Sequence, residues 1–546
     1  MHLLKRTAML LCIAALSSLA LADGVTTPAS DTFRVDLSAP QTTAISGRLL
    51  LFAVDAKSAR AAAKNGKVDE VEFSPFSRQK GAVSAREITH LIPGKDQPFN
   101  ADEVAYPSGF SQLPPGDYLM QAVLDVNHDY NYGGRGPGDV VSEVFEVTLP
   151  AAHLPTIKLV STVPEDGDMW TVPKDAPAAI AARAKADGGK MKQATHAIDF
   201  VSPSLSAFWG RPVHMKGWVL TPPGYDAGSS KRYPVVYYTH GYGGNLRNLL
   251  RPAFGVYEDM KSGTMPPMIW VFLDESSATG THEFTDSVNN GPWGHALTTE
   301  LIPALDATYL TDGKASGRFL NGHSSGGWAT LWLQTRYPKV FGGTWSTSPD
   351  PSDFHDFTGP DIYAAHANVY HRADGSLYPL MRDKGKVQAT FESFAQMERV
   401  LGPYGGQLAS FEWVFSPRGE DGRPQELFDR DTGDVDPAVA AYWHEHYDIA
   451  NLVKSHWPTL KPDLDGKIHL YVGTADTFYL DGAAHKLKAV LDGLGAKSDF
   501  RFIPGKTHFD LYAKGDDRDF LLRDIAWQMY RSARPDSTLN PSAATH

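Results

Sequence analysis

The stretch Gly317-Arg-Phe-Leu-Asn-Gly-His-Ser-Ser-Gly-Gly-Trp-Ala329 decides the fold of this chain, because it predicts a strand, a tight turn and a helix in direct succession. A short apolar strand is expected from Arg318 to Asn321, and the apolar run from Trp328 to Leu333 favours a helix. Glycines 322 and 326 allow a turn that is too tight for side chains. Ser324 is then held outward at the end of the strand, as in a nucleophile elbow.

Two later strand patterns each end in a side chain that such a serine needs. The strand-like run from Lys467 to Val472 leads into Asp476, and a second one from Asp499 to Ile503 leads into His508. The order serine, acid, histidine is that of α/β-hydrolases, which place the acid and the histidine on loops after late strands. We therefore predict Ser324 as nucleophile, His508 as its base and Asp476 as the acid that orients the imidazole.

The choice of acid stays open on the sequence alone. Asp481 lies only five residues beyond Asp476, and Asp350 or Asp353 follows an earlier strand pattern where some hydrolases keep their acid. His508 is one of 20 histidines. Its position behind a Pro-Gly turn after the last predicted strand favours it over an ordinary surface histidine.

A glycine-rich loop follows the strand pattern that starts at Tyr233. His240 and Gly241 open this loop, and glycines 243 and 244 let its backbone approach a substrate closely. We predict that the backbone amides of Tyr242 and Ser325 form the oxyanion hole, the second of them at a helix N-terminus. An ordinary strand-to-loop turn is the alternative interpretation of the Tyr242 segment.

The loop that runs from Thr281 to Trp293 follows another strand pattern, on the side of the sheet where open α/β folds bind ligands. We expect Trp293 and Asn289 to be substrate-binding residues in this loop. The alternative is a loop tryptophan that packs on the protein core.

These motifs together resemble the putative esterase family of α/β-hydrolases, which includes esterase D, feruloyl and acetylxylan esterases, enterochelin esterases and mycolyltransferases. The resemblance covers roughly Phe200 to Ala533 and includes the following pieces: the His240-Gly241 loop, Asn290 to Trp293, Glu300 to Pro303, the elbow, Tyr337 to Phe341, and Pro504 to His508. It implies acyl transfer by Ser324, Asp476 and His508. We expect no metal and no organic cofactor, because the nucleophile, the base and the oxyanion hole supply the chemistry.

The chain departs from simpler members of that family in a stretch of about 115 residues between Ser348 and Leu464. This insertion, at about 351–462, is rich in aromatic residues: Phe354, Phe357, Tyr363, Tyr370, Phe391, Phe394, Tyr404, Phe411, Trp413, Tyr442 and Trp443. One interpretation is a cap over the site that stacks on sugar or phenolic rings. The other is a helical subdomain whose aromatic residues pack against one another, and both can hold together.

The first 22 residues have the features of a secretory signal peptide. Lys5 and Arg6 precede an apolar run that ends in Ala20-Leu-Ala22. The expected mature chain is therefore secreted or periplasmic, without a membrane span; a membrane anchor is the alternative. Cys12 is the only cysteine and lies in this segment, so cysteine catalysis, disulfides and cysteine metal sites are excluded for the mature chain.

Composition and pattern predict two domains and disfavour nucleic acid as a partner. The chain has 51 Lys and Arg against 63 Asp and Glu, a net charge of −12 that becomes −14 without Lys5 and Arg6. We expect a small all-β sandwich at 30–160, a linker at 161–196, an α/β-hydrolase domain at 197–533 with a mostly parallel sheet flanked by helices, and a flexible tail at 534–546. The Ala- and Lys-rich stretch from Pro173 to Thr195 is interpreted as linker or as a solvated helix.

One acidic motif lies outside the expected catalytic domain. The run Asp125-Val-Asn-His-Asp-Tyr-Asn131 begins like a calcium-binding loop but lacks the glycine at position six and the glutamate at position twelve. We interpret it as a turn with side-chain-to-backbone hydrogen bonds, and calcium stays the alternative.

The expected function is that of a secreted serine esterase that cleaves small-molecule or glycan esters, such as acylated carbohydrates or phenolic esters, through an acyl-enzyme on Ser324. The same triad also supports an acyltransferase or a peptidase. A protein of another class, which binds a glycan without turnover on a hydrolase fold, is the third possibility.

Overall fold

The structure is a computed structural model that describes residues 32–38, 41–63, 66–74, 80–165, 167–171, 178–402 and 406–542. The proposed signal peptide and Tyr404 lie outside these residues. In the part of the chain that is described, no helix combines the length and apolar character needed to cross a bilayer.

The N-terminal domain is built on one sheet with the strand order β4-β1-β9-β7-β6-β2-β3-β5, in which β8 pairs with β6. Its strands are β1 (Thr32–Leu37), β2 (Ile45–Asp55), β3 (Gly81–Leu91), β4 (Gln97–Asn100), β5 (Ala105–Tyr106), β6 (Gly116–Asp125), β7 (Val140–Ser142), β8 (Phe145–Leu149) and β9 (Thr156–Thr162). Phe33 and Phe99 at one end of the sheet share a core with Leu91 at the other end, so the sheet curls over itself as the two layers of a sandwich. A short helix, α1 (Ala56–Ala62), interrupts the otherwise all-β domain.

The second domain contains an eight-stranded sheet with the order β10-β11-β13-β12-β18-β19-β22-β23. These strands are β10 (Thr195–Val201), β11 (His214–Leu220), β12 (Val235–Thr239), β13 (Ile269–Leu273), β18 (Arg318–His323), β19 (Gly343–Thr347), β22 (Ile468–Gly473) and β23 (Ser498–Ile503). Only β11 runs against its neighbours, and the strands from β13 to β23 pair in parallel. With its helices, this sheet confirms the predicted α/β-hydrolase fold.

Helices cover the sheet and continue into the insertion. They are α2 (Ala178–Ala194), α3 (Pro203–Trp209), α4 (Leu250–Ser262), α5 (Trp293–Ala296), α6 (Ile302–Thr308), α7 (Ser325–Arg336), α8 (Phe391–Leu401), α9 (Gln407–Phe415), α10 (Pro437–His446), α11 (Ile449–Leu464), α12 (Asp481–Gly493) and α13 (Phe520–Ala533). A π-helical turn, Leu297–Leu301, joins α5 to α6. Apolar faces of α4 and α13 pack on one side of the sheet, in a core that includes Trp270 and Phe319.

Short strand pairs lie outside the main sheet. They are β14 (Ser276–Ser277) with β15 (Gly280–Thr281), β16 (Asp286–Ser287) with β17 (Gly291–Pro292), and β20 (Pro379–Asp383) with β21 (Lys386–Thr390). The hairpin of β20 and β21, together with α8 to α11, makes up most of the insertion. Its aromatic side chains form one large core with α7 and β22, which includes Phe354, Phe415 and Trp443.

The structure differs from the expected linker and tail in two places. The expected linker contains α2, which agrees with the alternative of a helix, but its last residues begin β10, which pairs with β11 and so belongs to the eight-stranded sheet. In the tail, the Ser542 N–H donates to the carbonyl of Gly263 at the end of α4 (3.0 Å), so this part of the tail lies on the domain.

Candidate active site

Ser324 lies at the point where β18 ends and α7 begins, and its backbone has φ 61° and ψ −126°. Left-handed φ values are rare for a residue with a side chain and cost on the order of 1–3 kcal/mol, so the surrounding structure must enforce this one. A Cβ at Gly322 would lie 2.1 Å from the carbonyl of Gly326, and one at Gly326 would lie 2.3 Å from that of His240. The two glycines are therefore required by the close approach of the backbone on either side of the serine.

His508 and Asp476 meet at the ends of the last two strands. His508 Nδ1 donates to Asp476 Oδ2 at 3.0 Å, and both side chains are buried, with 5% and 0% of their surface exposed. Asp476 Oδ1 accepts the N–H groups of Phe478 (3.0 Å) and Leu480 (3.4 Å). Burial opposes the charge of Asp476, but the His508 ring and these donors outweigh it and hold the pKa of the carboxyl below its ordinary value.

The pairing through Nδ1 leaves Nε2 as the nitrogen of His508 that can act on a proton. The His508 ring lies 4.4 Å from the ring of His323, the residue before Ser324. Within the described residues, no hydrogen bond joins Ser324 Oγ to the His508 ring. Such contacts are often long without substrate and shorten when it binds, so this geometry is compatible with His508 as the base. Burial, with the nearby His508, lowers the pKa of His323 to about 3 and keeps its ring neutral.

The loop with the first predicted oxyanion donor is built around His240. His240 Nδ1 lies 2.8 Å from the carbonyl of Gly241, and Nε2 lies 3.0 Å from Asp274 Oδ1. Burial disfavours a charged ring, but Asp274 outweighs it and raises the pKa of His240. A Cβ at Gly241 would lie 2.9 Å from that of Ser324, so the backbone leading to Tyr242 runs directly beside the serine.

Ser325, the second predicted donor, is the first residue of α7, and its N–H has no acceptor within the helix. Its hydroxyl donates to Asp350 Oδ2 at 2.5 Å. Burial raises the pKa of Asp350 to about 6. Tyr242 lies in the loop after β12 and Ser325 in the first turn of α7, on either side of Ser324, and the oxyanion hole formed by their amides stays a prediction.

The other candidate acids are engaged elsewhere. Asp481 forms an ion pair with Arg382 at 3.3 Å, Asp353 accepts from His355 Nδ1 at 2.8 Å, and Asp350 binds Ser325. Asp476 alone among the four contacts His508 in the described structure. The sequence order therefore led to the carboxylate that the fold brings to the histidine.

An apolar cavity opens beside Ser324, with about 50 Å³ accessible to the centre of a water molecule. A cavity that holds a single water has about 10–15 Å³ accessible to the centre of the water molecule, so this cavity has room for a group of several heavy atoms. Most of its lining is aromatic or aliphatic and comes from the insertion and from the loop after Asp476: Ser324, Asp350, Pro351, Phe357, Thr358, Leu380, Phe391, Phe394, Gln407, Leu408, Phe411, Phe478 and Leu480. Four phenylalanines singled out in the sequence of the insertion are among them. The other aromatic residues of the insertion pack on one another, as the interpretation as a helical subdomain expects, and stacking on a sugar or phenolic ring stays a prediction.

Trp293 and Asn289 lie away from this cavity. The Trp293 ring stacks on His282 with centroids 3.6 Å apart, and its Nε1 donates to the carbonyl of Asn290 at 2.9 Å. Asn289 Nδ2 donates to the carbonyl of Ser416 at 2.8 Å. Both side chains are buried, because the loop after β13 folds back under the insertion instead of facing the serine. The structure therefore agrees with the alternative interpretation of Trp293, a tryptophan packed on the core, and Asn289 is buried beside the insertion.

Among the residues that the structure describes, two groups of side chains have the spacing of metal ligands. Asp125, Asp129 and Asp139 form one group, and Asp353, His355 and Asp448 form the other, with ligand atoms within 4.8 Å of one another in each. Neither group contains a residue of the Ser324 site. The first group includes Asp125 and Asp129 of the acidic motif, for which calcium binding is the alternative interpretation.

Comparison with known proteins finds chains that are similar to part of this one. A bacterial protein from Xylanibacter ruminicola, described as an endo-1,4-beta-xylanase/feruloyl esterase, is 30% identical over 130 residues, which are 23% of this chain and 18% of that protein. The chain thus matches less than a fifth of the length of this curated relative. Among solved structures, a ferulic acid esterase from Anaeromyces mucronatus in complex with ferulic acid is 15% identical, with a TM-score of 0.34 over 62% of this chain and 91% of that one. An S-formylglutathione hydrolase from Agrobacterium tumefaciens is 14% identical, with a TM-score of 0.37 over 62% and 95%.

The sequence profile of the Putative esterase family matches residues 211–493. The matched region includes the Tyr242 loop, the elbow and Asp476, and it ends before His508. Since it spans just over half of the chain, this protein belongs to the Putative esterase family.

Proposed function

We propose that this protein is an exported serine esterase that removes an aromatic acyl group from a carbohydrate or phenolic ester through an acyl-enzyme on Ser324. The observation that carries the proposal is the position of Ser324, in a strained turn at the edge of a cavity lined by phenylalanines. The buried pair of His508 and Asp476 lies at the same edge of the sheet. Family membership supports ester hydrolysis as the class of reaction.

The reaction follows from the positions of these groups. Ser324 Oγ attacks the ester carbonyl carbon while its proton passes to His508 Nε2, and the carbonyl oxygen becomes an anion that the amides of Tyr242 and Ser325 stabilise. The carbon–oxygen bond to the alcohol then breaks, and His508 returns the proton to the departing oxygen. Water, deprotonated by His508, attacks the acyl-enzyme and releases the acid and Ser324.

An aromatic acyl group suits the cavity. Phe357, Phe391, Phe394 and Phe411 offer faces and edges against which a flat ring packs favourably, by about 0.5–1.5 kcal/mol per pair beyond its buried area. The rim carries a further aromatic side chain, Phe509, which is 73% exposed beside His508 and Phe478. The feruloyl esterase in the name of the bacterial relative supports the same acyl class.

The test compares acyl groups on one leaving group. Purified protein should hydrolyse nitrophenyl ferulate with a higher kcat/KM than nitrophenyl acetate, and Leu408→Trp, which fills the cavity, should lower the ferulate value by about 10-fold or more. The acetate value should change less, because acetate does not reach the cavity wall. Release of nitrophenol measures both reactions.

Leu377→Trp is the matched control, since Leu377 belongs to the same insertion but is exposed and lies outside the cavity lining. It should leave both rates within about 2-fold, and thermal unfolding should show that both variants are folded. Equal losses for both esters in Leu408→Trp would refute the aromatic acyl site. Products formed with added sugar alcohols would instead indicate acyl transfer, and no turnover of any ester would favour a glycan-binding protein.

Export is the remaining part of the proposal. It rests on the segment from Met1 to Ala22, with its basic start, apolar run and small-residue end. Expression of the full chain in a bacterial host should yield a protein outside the cytoplasm whose mass corresponds to a start at Asp23. A cytoplasmic product that retains Met1 to Ala22 would contradict export.

A further inference from the structure

The β-sandwich reaches the catalytic domain through the loop between β6 and β7, residues 126–139. Two buried carboxylates hold this loop. Asp125 accepts the N–H groups of Asp129 and Tyr130 (3.1 Å each), and Asp139 accepts those of Val126 (3.2 Å) and Gly136 (2.8 Å). The acidic motif thus has a structural role: it fixes the loop from which Tyr132 projects.

Tyr132 lies at the meeting point of the two domains. Its ring packs edge-on against the ring of Tyr242, with centroids 5.9 Å apart, and against Phe394 at the same distance. A Cβ at the neighbouring Gly133 would be 3.6 Å from the carbonyl of Gly243, which is van der Waals contact. The loop of the sandwich therefore lies directly on the loop that carries the predicted oxyanion donor.

The hydroxyl of Tyr132 connects the sandwich to the cavity wall. It donates to Glu398 Oε1, and the same carboxylate accepts the N–H groups of Gln407 (2.7 Å) and Leu408 (2.8 Å) at the start of α9. Gln407 and Leu408 both line the cavity. One tyrosine thus supports the oxyanion loop with its ring and the cavity wall with its hydroxyl.

Helix α8 lies between the cavity and the β-sandwich, and each of these contacts a different part of the helix. On α8, Phe391 and Phe394 line the cavity, whereas Met397, Val400 and Leu401 belong to a core formed with the sandwich strands β2, β3 and β6. Arg48 of β2 donates to the carbonyl of Val400 at 2.8 Å. The sandwich therefore holds α8 in place as well as the loop beside Ser324.

We infer that Tyr132 is a positioning residue of the active site, which makes the N-terminal sandwich a working part of the catalytic centre and not a separate targeting module. This inference rests on the proposed esterase function. The ring keeps the Tyr242 amide in line for the oxyanion, and the hydroxyl keeps the wall that receives the acyl group in place.

The roles of the Tyr132 ring and of its hydroxyl should be distinguishable, because loss of the ring should change kcat and loss of the hydroxyl should change KM. Tyr132→Ala removes the ring support of the oxyanion loop, so kcat for nitrophenyl ferulate should fall by roughly 10- to 100-fold. Tyr132→Phe keeps the ring but removes the donor to Glu398. Burial raises the pKa of Glu398 to about 7, and the hydrogen bond from the Tyr132 hydroxyl opposes this rise. Loss of that hydroxyl therefore favours protonated Glu398, which is a weaker acceptor for the N–H groups of Gln407 and Leu408. The expected result is a KM raised several-fold with kcat nearly unchanged.

Tyr106→Ala is the matched control. Tyr106 packs against the same core between the domains, stacks on Phe73 and bonds to Ser393 of α8 through its hydroxyl, but among the described rings it is not paired with Tyr242 or with a phenylalanine of the cavity lining. Both alanine variants should lower the melting temperature, whereas only Tyr132→Ala should lower kcat beyond about 3-fold. Equal kinetic effects of the two would show that Tyr132 only stabilises the interface and would overturn the inference while the esterase stands. Wild-type protein without Ser324-dependent hydrolysis would overturn the proposed function, and this inference with it.

Discussion

Ser324→Ala should lower kcat for ester hydrolysis by at least about 10⁴-fold, because no other group replaces a hydroxyl that forms a bond to the acyl carbon. Alanine keeps the Cβ, so the turn at φ 61° is as strained as before and its neighbours need not move. The melting temperature should therefore stay close to that of the wild type. Loss of activity without loss of stability separates a chemical role from a structural one.

A fluorophosphonate probe, which forms a covalent bond to activated serines, provides the direct measurement. Mass spectrometry should find the probe on the peptide that contains Ser324, and Ser324→Ala should abolish labelling. Ser455→Ala is the control, since Ser455 is an exposed serine on α11 that bonds to Asn451. Labelling of another peptide in the wild type, or full hydrolysis by Ser324→Ala, would refute the assignment of the nucleophile.

The turn around Ser324 was predictable because its cause is local. A side chain at either of the two glycines would clash with nearby backbone carbonyls, so the spacing of glycines around the serine in the sequence directly indicates the turn. Strand positions were also predictable, since β12, β13, β18, β19 and β22 are buried runs with clear ends. The chain order of Asp476 and His508 then brought them to one edge, because parallel strands present their carboxyl ends together.

The residues that line the cavity depend on packing between distant parts of the chain, which cannot be predicted from local patterns in a single sequence. Trp293 and Phe394 are both aromatic residues in loops or insertions, yet one stacks on His282 under the insertion and the other faces the cavity. What separates them is how the insertion folds over α7, and no local spacing encodes that. Tyr132 was missed for the same reason: it is 192 residues before Ser324, and its partners Tyr242 and Glu398 lie on different elements. The aspartates of its loop were the available signal.

Asp476→Asn should lower kcat by about 10²- to 10⁴-fold although the two side chains have the same shape. Asp476 accepts hydrogen bonds on both oxygens, from His508 on one side and from the N–H groups of Phe478 and Leu480 on the other. An amide can satisfy only one side with its oxygen. If that oxygen stays with the backbone donors, the amide nitrogen faces His508 Nδ1 and forces the ring into the tautomer with its proton on Nε2, which cannot take the proton of Ser324.

The alternative orientation carries its own cost, because the amide nitrogen would then face two backbone N–H groups in a fully buried site. Asp476→Asn should therefore lose activity in either orientation, and the loss should lie in kcat, since the cavity lining is unchanged. Asp481→Asn is the matched control five residues on: it weakens a partly exposed ion pair with Arg382 and should cost less than about 3-fold. The two variants decide between the acids that follow β22, because a large loss with Asp481→Asn and a small one with Asp476→Asn would transfer the role to Asp481 and require a different loop conformation during catalysis.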